Sequence, residues 1–89
     1  MDEQERMTLE QNLHSLHIQK QAVQQQLMEV ELALKELSTS ERAYRIIGGL
    51  MVETPVDNLR EELNKKREVS QTRLVTLERQ EEKLKAKRG

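Results

Sequence analysis

The chain has 89 residues, of which 35% are hydrophobic and another 35% are charged, with no Phe, Trp or Cys and a single Tyr. A compact globular core needs more large apolar side chains, because their burial must offset the entropy that the chain loses on folding. The formal net charge of −1 excludes a global field that recruits nucleic acid or anionic lipid. The lack of cysteine excludes a disulfide framework and a thiolate zinc site.

Two classes of protein remain, a disordered chain or long helices that bury a narrow stripe against each other. The abundance of Glu, Lys, Leu, Gln and Arg favours the long helices. The acidic N-terminus, from Met1 to Glu5, is the opposite of a signal or transit peptide. No apolar run approaches the roughly 20 residues that a membrane span needs. We therefore expect a cytoplasmic protein with no membrane partner.

A coiled-coil helix is predicted over residues 4–38. Alternating steps of four and three residues define a heptad seam in which eight of nine positions are apolar: Leu9, Leu13, Leu16, Lys20, Val23, Leu27, Val30, Leu34 and Leu37. The one polar member, Lys20, is expected either to extend its ammonium group to water or to specify the register. The segment after Leu37, Ser38-Thr39-Ser40, favours a helix end because hydroxyl side chains compete for backbone hydrogen bonds.

A β-hairpin is predicted over residues 43–53. Two apolar, β-prone runs flank Gly48-Gly49, and both glycines can adopt the positive φ of a primed two-residue turn. In that register four pairs face each other across the strands: Ile47 and Leu50, Ile46 and Met51, Arg45 and Val52, Tyr44 and Glu53. A two-stranded hairpin is at best marginally stable in water, and its edges are open to further strands. The chain is therefore expected to need partners.

A second coiled-coil helix is predicted over residues 55–85. Its start signal is Thr54 as N-cap, Pro55 at the first helical position and Asp57 as the capping-box acid. Its apolar seam is weaker and is interrupted by polar residues, so its register stays open; the apolar members are Val56, Leu59, Leu63, Val69, Leu74, Leu77 and Leu84, and the interruptions are Lys66, Arg67, Ser70 and Glu81.

The hairpin reverses the chain, so the two helices can pair as an antiparallel coiled coil of about 45–50 Å. Their free ends then meet at one tip of the rod. We expect this tip to bring acidic residues of the first helix (Asp2, Glu3 and Glu5) close to basic residues of the second (Lys83, Lys85, Lys87 and Arg88).

The run Tyr44-Arg45-x-x-Gly48-Gly49-x-x-Val52-Glu53 between two coiled-coil halves resembles the β-class subunits of prefoldin, and its hairpin is similar to that of the eukaryotic prefoldin subunit 2. The resemblance implies a single domain over residues 1–89, mainly α with a small β-hairpin. It also implies a heterohexamer of two α-type and four β-type subunits, in which the hairpins close into β-barrels and six arms hang from that platform. No cofactor is implied.

The function that the resemblance implies is chaperone activity without ATP, in which the arm tips hold unfolded polypeptides and pass them to a group II chaperonin. The residues expected to build the platform are Tyr44, Ile46, Ile47, Gly48, Gly49, Leu50, Met51 and Val52. The residues expected to contact clients are Met1, Met7, Leu9, Leu13, Leu77 and Leu84, since flexible methionines adapt to varied apolar partners. Only 36 residues follow Glu53, which makes the arm shorter than in many members of the family, so we expect a compact homologue or a truncated chain.

Other functions have weaker support from the residues. His14, His17 and Glu10 are too few for a metal site without converging ligands. Gly48-Gly49 lacks the spacing of a phosphate loop. The basic C-terminal cluster is interleaved with glutamates and has no aromatic for base stacking. Two helices and one hairpin cannot wall an enzyme pocket. The alternative that remains is a coiled-coil scaffold that oligomerises through the hairpin and has no chaperone role.

Overall fold

The computed structural model describes all 89 residues as two long helices joined by a β-hairpin. Helix α1 spans Glu3–Leu37, strands β1 and β2 span Ala43–Ile47 and Leu50–Thr54, and helix α2 spans Val56–Arg88. The two helices pack along their length into a rod of 59 × 24 × 14 Å. The predicted order of helix, hairpin and helix is confirmed, and α2 continues three residues beyond its predicted end.

Hydrogen bonds from side chains define both ends of α1. The Asp2 carboxylate accepts a hydrogen bond from the backbone N–H of Glu5 at 2.8 Å, which satisfies one of the free donors of the first turn. At the other end, the hydroxyl of Ser38 donates to the carbonyl of Lys35, and the hydroxyls of Thr39 and Ser40 both donate to the carbonyl of Glu36. The hydroxyl-rich segment therefore ends the helix, as its composition predicts.

The core of the rod is the contact between one stripe of α1 and one stripe of α2. The heptad seam predicted on α1 is confirmed, since its most buried members are Leu9, Leu13, Leu16, Val23 and Leu37. A central cluster of buried residues joins the helices, with two further leucines packed against it: Leu16, Val23, Leu77, Leu74 and Leu84. Packing of this kind supplies most of the stability of a long helix in water.

The structure corrects the stripe that the sequence predicted on α2. Val69 is 67% exposed, whereas Arg67, Ser70 and Glu81 are partly buried. The helix side that faces α1 repeats in steps of four and three through Val56, Arg60, Leu63, Arg67, Ser70, Leu74, Leu77, Glu81 and Leu84. Val69 lies about 100° around the helix from Ser70, so its side chain lies at the edge of the helix contact, in a groove shared with Val30 of α1, and not within the seam. Apolar character alone therefore misplaced one position of the register.

Lys20 and Glu81 form a polar layer within this seam. The Lys20 Nζ atom lies 3.4 Å from the Glu81 Oε1 atom, and the same carboxylate accepts a hydrogen bond from Lys85 at 3.1 Å. The hydrogen bond from Lys85, together with the weaker effect of Lys20, lowers the pKa of Glu81 although partial burial opposes this shift. The ammonium group of Lys20 therefore pairs with Glu81, which the sequence pattern indicated only as a polar interruption of the α2 seam.

The turn between the strands is the primed type that Gly-Gly predicts. Gly48 and Gly49 have φ angles of +55° and +81°, and no other residue of the chain has a positive φ. The predicted pairing is confirmed from Ile47–Leu50 to Tyr44–Glu53 and continues to Ala43–Thr54. Thr54 was wrongly predicted as the N-cap of α2. It is the last residue of β2, and the chain enters the helix through Pro55.

The charge pairing at the free tip differs from the prediction. Arg88 pairs with Glu10 at 3.3 Å, while Asp2 caps its own helix, and Glu3 and Glu5 form no ion pair. The predicted tip pairing is therefore replaced by the single pair of Glu10 and Arg88, although Lys87 lines the same groove as Asp2 and Glu5.

Replacement of Gly49 by Ala is expected to destabilise the hairpin by about 1–2 kcal/mol, because an L-residue in the left-handed region brings its Cβ close to the carbonyl oxygen. Space is not the constraint, since no atom lies within 4 Å of a Cβ built there. Gly48→Asn is the control, because Asn accepts that region. The measurement is the nuclear Overhauser effect between the Hα atoms of Ile46 and Met51. An undiminished signal in Gly49→Ala would contradict this account of the turn.

Replacement of Glu81 by Gln is expected to lower the melting temperature at neutral pH. The pKa of Glu81 in the fold lies below its ordinary value of 4.5, so its ion pairs stabilise fully above that pH and are lost as the pH falls through the lowered pKa. The variant should therefore lose less stability than the parent on acidification. Circular dichroism melts at neutral pH and below pH 4.5 measure this, with Glu78→Gln as control because Glu78 is exposed and forms no ion pair. Equal acid sensitivity in parent and variant would exclude the polar layer as the cause.

Candidate assembly hairpin and client-binding tip

The hairpin exposes nearly all of its large apolar side chains. Ile46 is 74% exposed, and Leu50 and Met51 are each 70% exposed. Tyr44, Ile47 and Val52 add to the same surface with smaller exposed fractions. In a chain with so few large apolar residues, this is the densest apolar surface that the fold leaves uncovered.

The two faces of the hairpin have different surroundings. Residues directly opposite each other, and residues two apart along a strand, share a face. One face starts at the buried Ala43 and becomes more exposed towards the turn through Val52, Ile47 and Leu50. The helices therefore cover only the base of this face. The other face is fully solvent-exposed and consists of Tyr44, Ile46, Met51 and Glu53.

Both edges of the hairpin are unpaired, because the sheet has only two strands. In an antiparallel hairpin with a two-residue turn, Ile47 and Leu50 exchange backbone hydrogen bonds, and every second pair does the same. The pairs between them, Ile46–Met51 and Tyr44–Glu53, direct their N–H and C=O groups outward. The same four residues thus supply the exposed face and the free edges, so one added strand would contact both.

Polar contacts fix the base of the hairpin to the helices. The guanidinium group of Arg45 donates a hydrogen bond to the carboxylate of Glu62 on α2. Arg60 on α2 donates to the backbone carbonyl of Leu37 at 3.5 Å, at the end of α1. Ala43 and Leu37 are buried between these elements. The contact of Arg45 with Glu62 therefore attaches the hairpin to α2, and the residues around its turn are exposed.

The free tip of the rod brings together only part of the predicted client-binding set. Leu9, Leu13 and Leu77 are buried between the helices, and Leu84 is half-buried. Met1 and Met7 are each more than half exposed. A shallow groove at the tip is lined by the exposed Met1 together with Leu9, Leu84 and Lys87. In the closed rod, a client could reach the methionines and the rim of this groove but not the three buried leucines.

The similarity to known proteins extends over nearly the whole chain, including both helices and the hairpin. The sequence matches the family described as prefoldin subunit over residues 3–88. It is 41% identical over 81 residues to the prefoldin subunit beta of Thermococcus onnurineus (strain NA1), covering 88% of this chain and 70% of that protein. The prefoldin subunit beta of Pyrococcus horikoshii is 37% identical, with 90% and 71% covered. The chain belongs to the prefoldin β-subunit family.

A solved structure of the family has the same fold. The crystal structure of the prefoldin beta subunit from Thermococcus strain KS-1 superposes with a TM-score of 0.84 at 38% sequence identity, covering 91% of this chain and 74% of that one. The predicted fold class is thus confirmed by an experimental relative. The closer resemblance of the hairpin to the eukaryotic prefoldin subunit 2 stays a prediction.

Membership of the prefoldin family establishes the general role of the chain. Prefoldin subunits are chaperones and not enzymes, and they assemble with other prefoldin subunits. Neither helix contains a stretch apolar enough to cross a bilayer. His14 and His17 are exposed, and no group of three or more potential metal ligands converges anywhere in the chain.

Sequence reasoning missed two features that position the hairpin. The first is the ion pair of Arg45 and Glu62. It joins β1 to α2, and the sequence does not specify how close these two elements lie. The alternation of the strand carried a signal, since Arg45 shares a face with the buried Ala43. The second is the role of Ala43 itself, a small residue that a search for large apolar side chains passes over.

Leu77→Ala is expected to lower the free energy of unfolding by about 2–5 kcal/mol, because it leaves a cavity in the packed seam. Met7→Ala is the matched control at the tip and should change it by no more than about 0.5 kcal/mol, since this exposed side chain lies away from α2. Urea titration followed by circular dichroism measures both. Equal effects would mean that the helices do not close over Leu77 in solution.

Proposed function

We propose that the chain is a β-type subunit of a hexameric prefoldin complex that holds unfolded polypeptides without ATP in the cytoplasm and delivers them to a group II chaperonin. The single observation that carries this proposal is the hairpin, which has an exposed apolar face and two unpaired edges on the same residues. Such a surface is unsuitable for an isolated chain, because unpaired apolar strands promote association.

The hairpin residues are proposed to build the platform by pairing with strands of neighbouring subunits. An added strand at either edge would satisfy the outward backbone groups of Tyr44 and Ile46 or of Met51 and Glu53. Closure into a barrel would bury the adjoining apolar side chains. The proposed platform residues are Tyr44, Ile46, Ile47, Gly48, Gly49, Leu50, Met51 and Val52, with the two glycines supplying the turn.

Client binding is proposed at the free tip of the arm. Met1 and Met7 are the exposed members of the tip, and Leu84 borders its groove. Leu9, Leu13 and Leu77 are proposed to take part only where the helices separate, because the closed arm buries them. The tip groove supports this arrangement, since it is open to solvent next to the exposed side chain of Met1.

The test of assembly uses light scattering on a sizing column with the chain alone and mixed with an α-type prefoldin subunit. We expect a defined species near six chains on mixing. The double variant Ile46→Lys/Met51→Lys should abolish this species, because it places charge on the face and edges that new strands would cover. Val69→Lys/Val75→Lys is the control, since it adds equal charge at exposed sites of α2.

The test of chaperone activity is suppression of aggregation of a chemically unfolded protein by the assembled complex. A complex of the expected mass that leaves aggregation unchanged would contradict the holding function and favour a coiled-coil scaffold. A chain that ignores every α-type subunit would contradict the platform role of the hairpin. The two outcomes are separate, because mass and aggregation are measured independently.

A further inference from the structure

Half of α1 presents a surface without charge. Every exposed residue between Gln11 and Met28 is uncharged when histidine is neutral. The one charged residue in this stretch, Lys20, is held in the seam by Glu81. The part of α2 that packs beside it is densely charged on its exposed side, with Arg73, Glu78, Arg79, Glu82, Lys83 and Lys85. In a chain with 35% charged residues, the two sides of one arm thus differ sharply.

A stripe with apolar residues at intervals runs along the uncharged surface on the side of α1 opposite α2, and continues past both ends of that surface to Met7 and Leu32. Steps of four and three residues link Met7, Gln11, His14, Ile18, Gln21, Gln25, Met28 and Leu32. This line lies two residues, or about 200°, around the helix from the buried seam. Its four apolar members, Met7, Ile18, Met28 and Leu32, are each more than half exposed. The stripe runs about 37 Å along the arm from the tip towards the hairpin.

Amide side chains fill the space between the apolar members of the stripe. Six exposed glutamines lie in the stretch from Gln11 to Met28, with Gln11 included. The carboxamides of Gln19 and Gln25 donate to Ser15 and Glu29, whereas those of Gln21, Gln24 and Gln26 make no hydrogen bond within the chain. A carboxamide both donates and accepts, so it can pair with the peptide group of another chain whatever its sequence.

These properties select among possible occupants. A second helix in a coiled coil needs an apolar residue at nearly every position of the stripe, as in the buried seam, but only four of eight are apolar here. Nucleic acid and anionic membranes need Lys and Arg, which this surface lacks. An unfolded polypeptide exposes scattered apolar side chains and unpaired backbone amides. Sparse apolar contacts alternating with carboxamides complement that chemistry, and the lack of charge tolerates clients of either sign.

We propose that this face of α1, centred on Ile18 and Met28, is a lateral binding surface for extended unfolded polypeptide along the arm. This inference rests on the proposed chaperone function and adds a second contact region to the tip. Met7 belongs to both regions, so a client held at the tip would continue directly onto the stripe. A longer segment of one client would then be bound by each arm, which raises affinity through linked contacts.

The test uses the complex assembled with α-type subunits and a fluorescently labelled, permanently unfolded polypeptide as the probe. Ile18→Lys/Met28→Lys should weaken binding of the probe by at least about fivefold, because both apolar contacts are lost and charge enters the surface. Val69→Lys/Val75→Lys is the matched control, with two exposed apolar residues of α2 changed in the same way. Circular dichroism melts and sizing verify that both variants fold and assemble.

Photo-crosslinking separates the possible outcomes. A crosslinker at Gln21 should capture the probe, while one at Thr72 on the charged side of α2 should not. Unchanged affinity in Ile18→Lys/Met28→Lys, or crosslinks from Gln21 only to other copies of the subunit, would overturn the lateral surface and leave the chaperone function intact. A parent complex that fails to bind the probe at all would instead overturn the proposed function.

Discussion

Two helices in contact can bury only one stripe each, and this constraint governs the rest of the molecule. The stripes that meet are short of large side chains, with a central cluster of Leu16, Val23 and Leu77. Most apolar residues outside the two stripes remain on the surface of a rod 59 Å long. In a larger domain such residues would be buried by a third layer. Here they form the surfaces that we propose for assembly and client binding, so the thinness of the core and the proposed capacity to bind other chains have one physical origin.

The hairpin concentrates this effect at one end of the rod. Its turn needs the positive φ angles of Gly48 and Gly49, and its short strands cannot be covered by helices that end at their base. Anchoring is instead polar, through Arg45 and Glu62, and leaves the apolar face free. A surface that is already folded into strands but uncovered is suited to assembly, because its backbone need not be ordered when a partner strand adds.

The polar layer of Lys20 and Glu81 shows a different compromise within the arm. A pair of leucines would bury more apolar area at this level, and partly buried ion pairs add little net stability. The pair does, however, penalise any shift of one helix against the other, because a shift would leave a charge facing leucine. Register matters in this subunit since it determines which residues remain at the tip. The ion pair of Glu10 and Arg88 at the tip is consistent with the same register. Both side chains are exposed, so this pair contributes little stability.

How much the sequence reveals differs between the elements. The α1 seam, the hairpin pairs and the glycine turn follow from local rules, namely the heptad period, strand alternation and the positive φ that glycine accepts. The stripe of α2 does not, because Arg67, Ser70 and Glu81 occupy inward positions that hydropathy assigns to the surface, while Val69 points outward. The capping rule predicts Thr54 as the N-cap of α2, but Thr54 instead pairs with Ala43 as the last residue of β2.

By itself, then, the sequence determined the order of the elements, the type of turn and the need for partners, since each depends on residues close together in the chain. Only the tertiary structure decided which apolar residues are accessible. Leu9, Leu13 and Leu77 looked available at the tip, yet they are buried, whereas Ile18 and Met28 lie on the far side of α1 and are exposed. Exposure depends on where the partner helix lies around α1, and that position is set by the summed packing of two stripes distant in sequence rather than by any single residue.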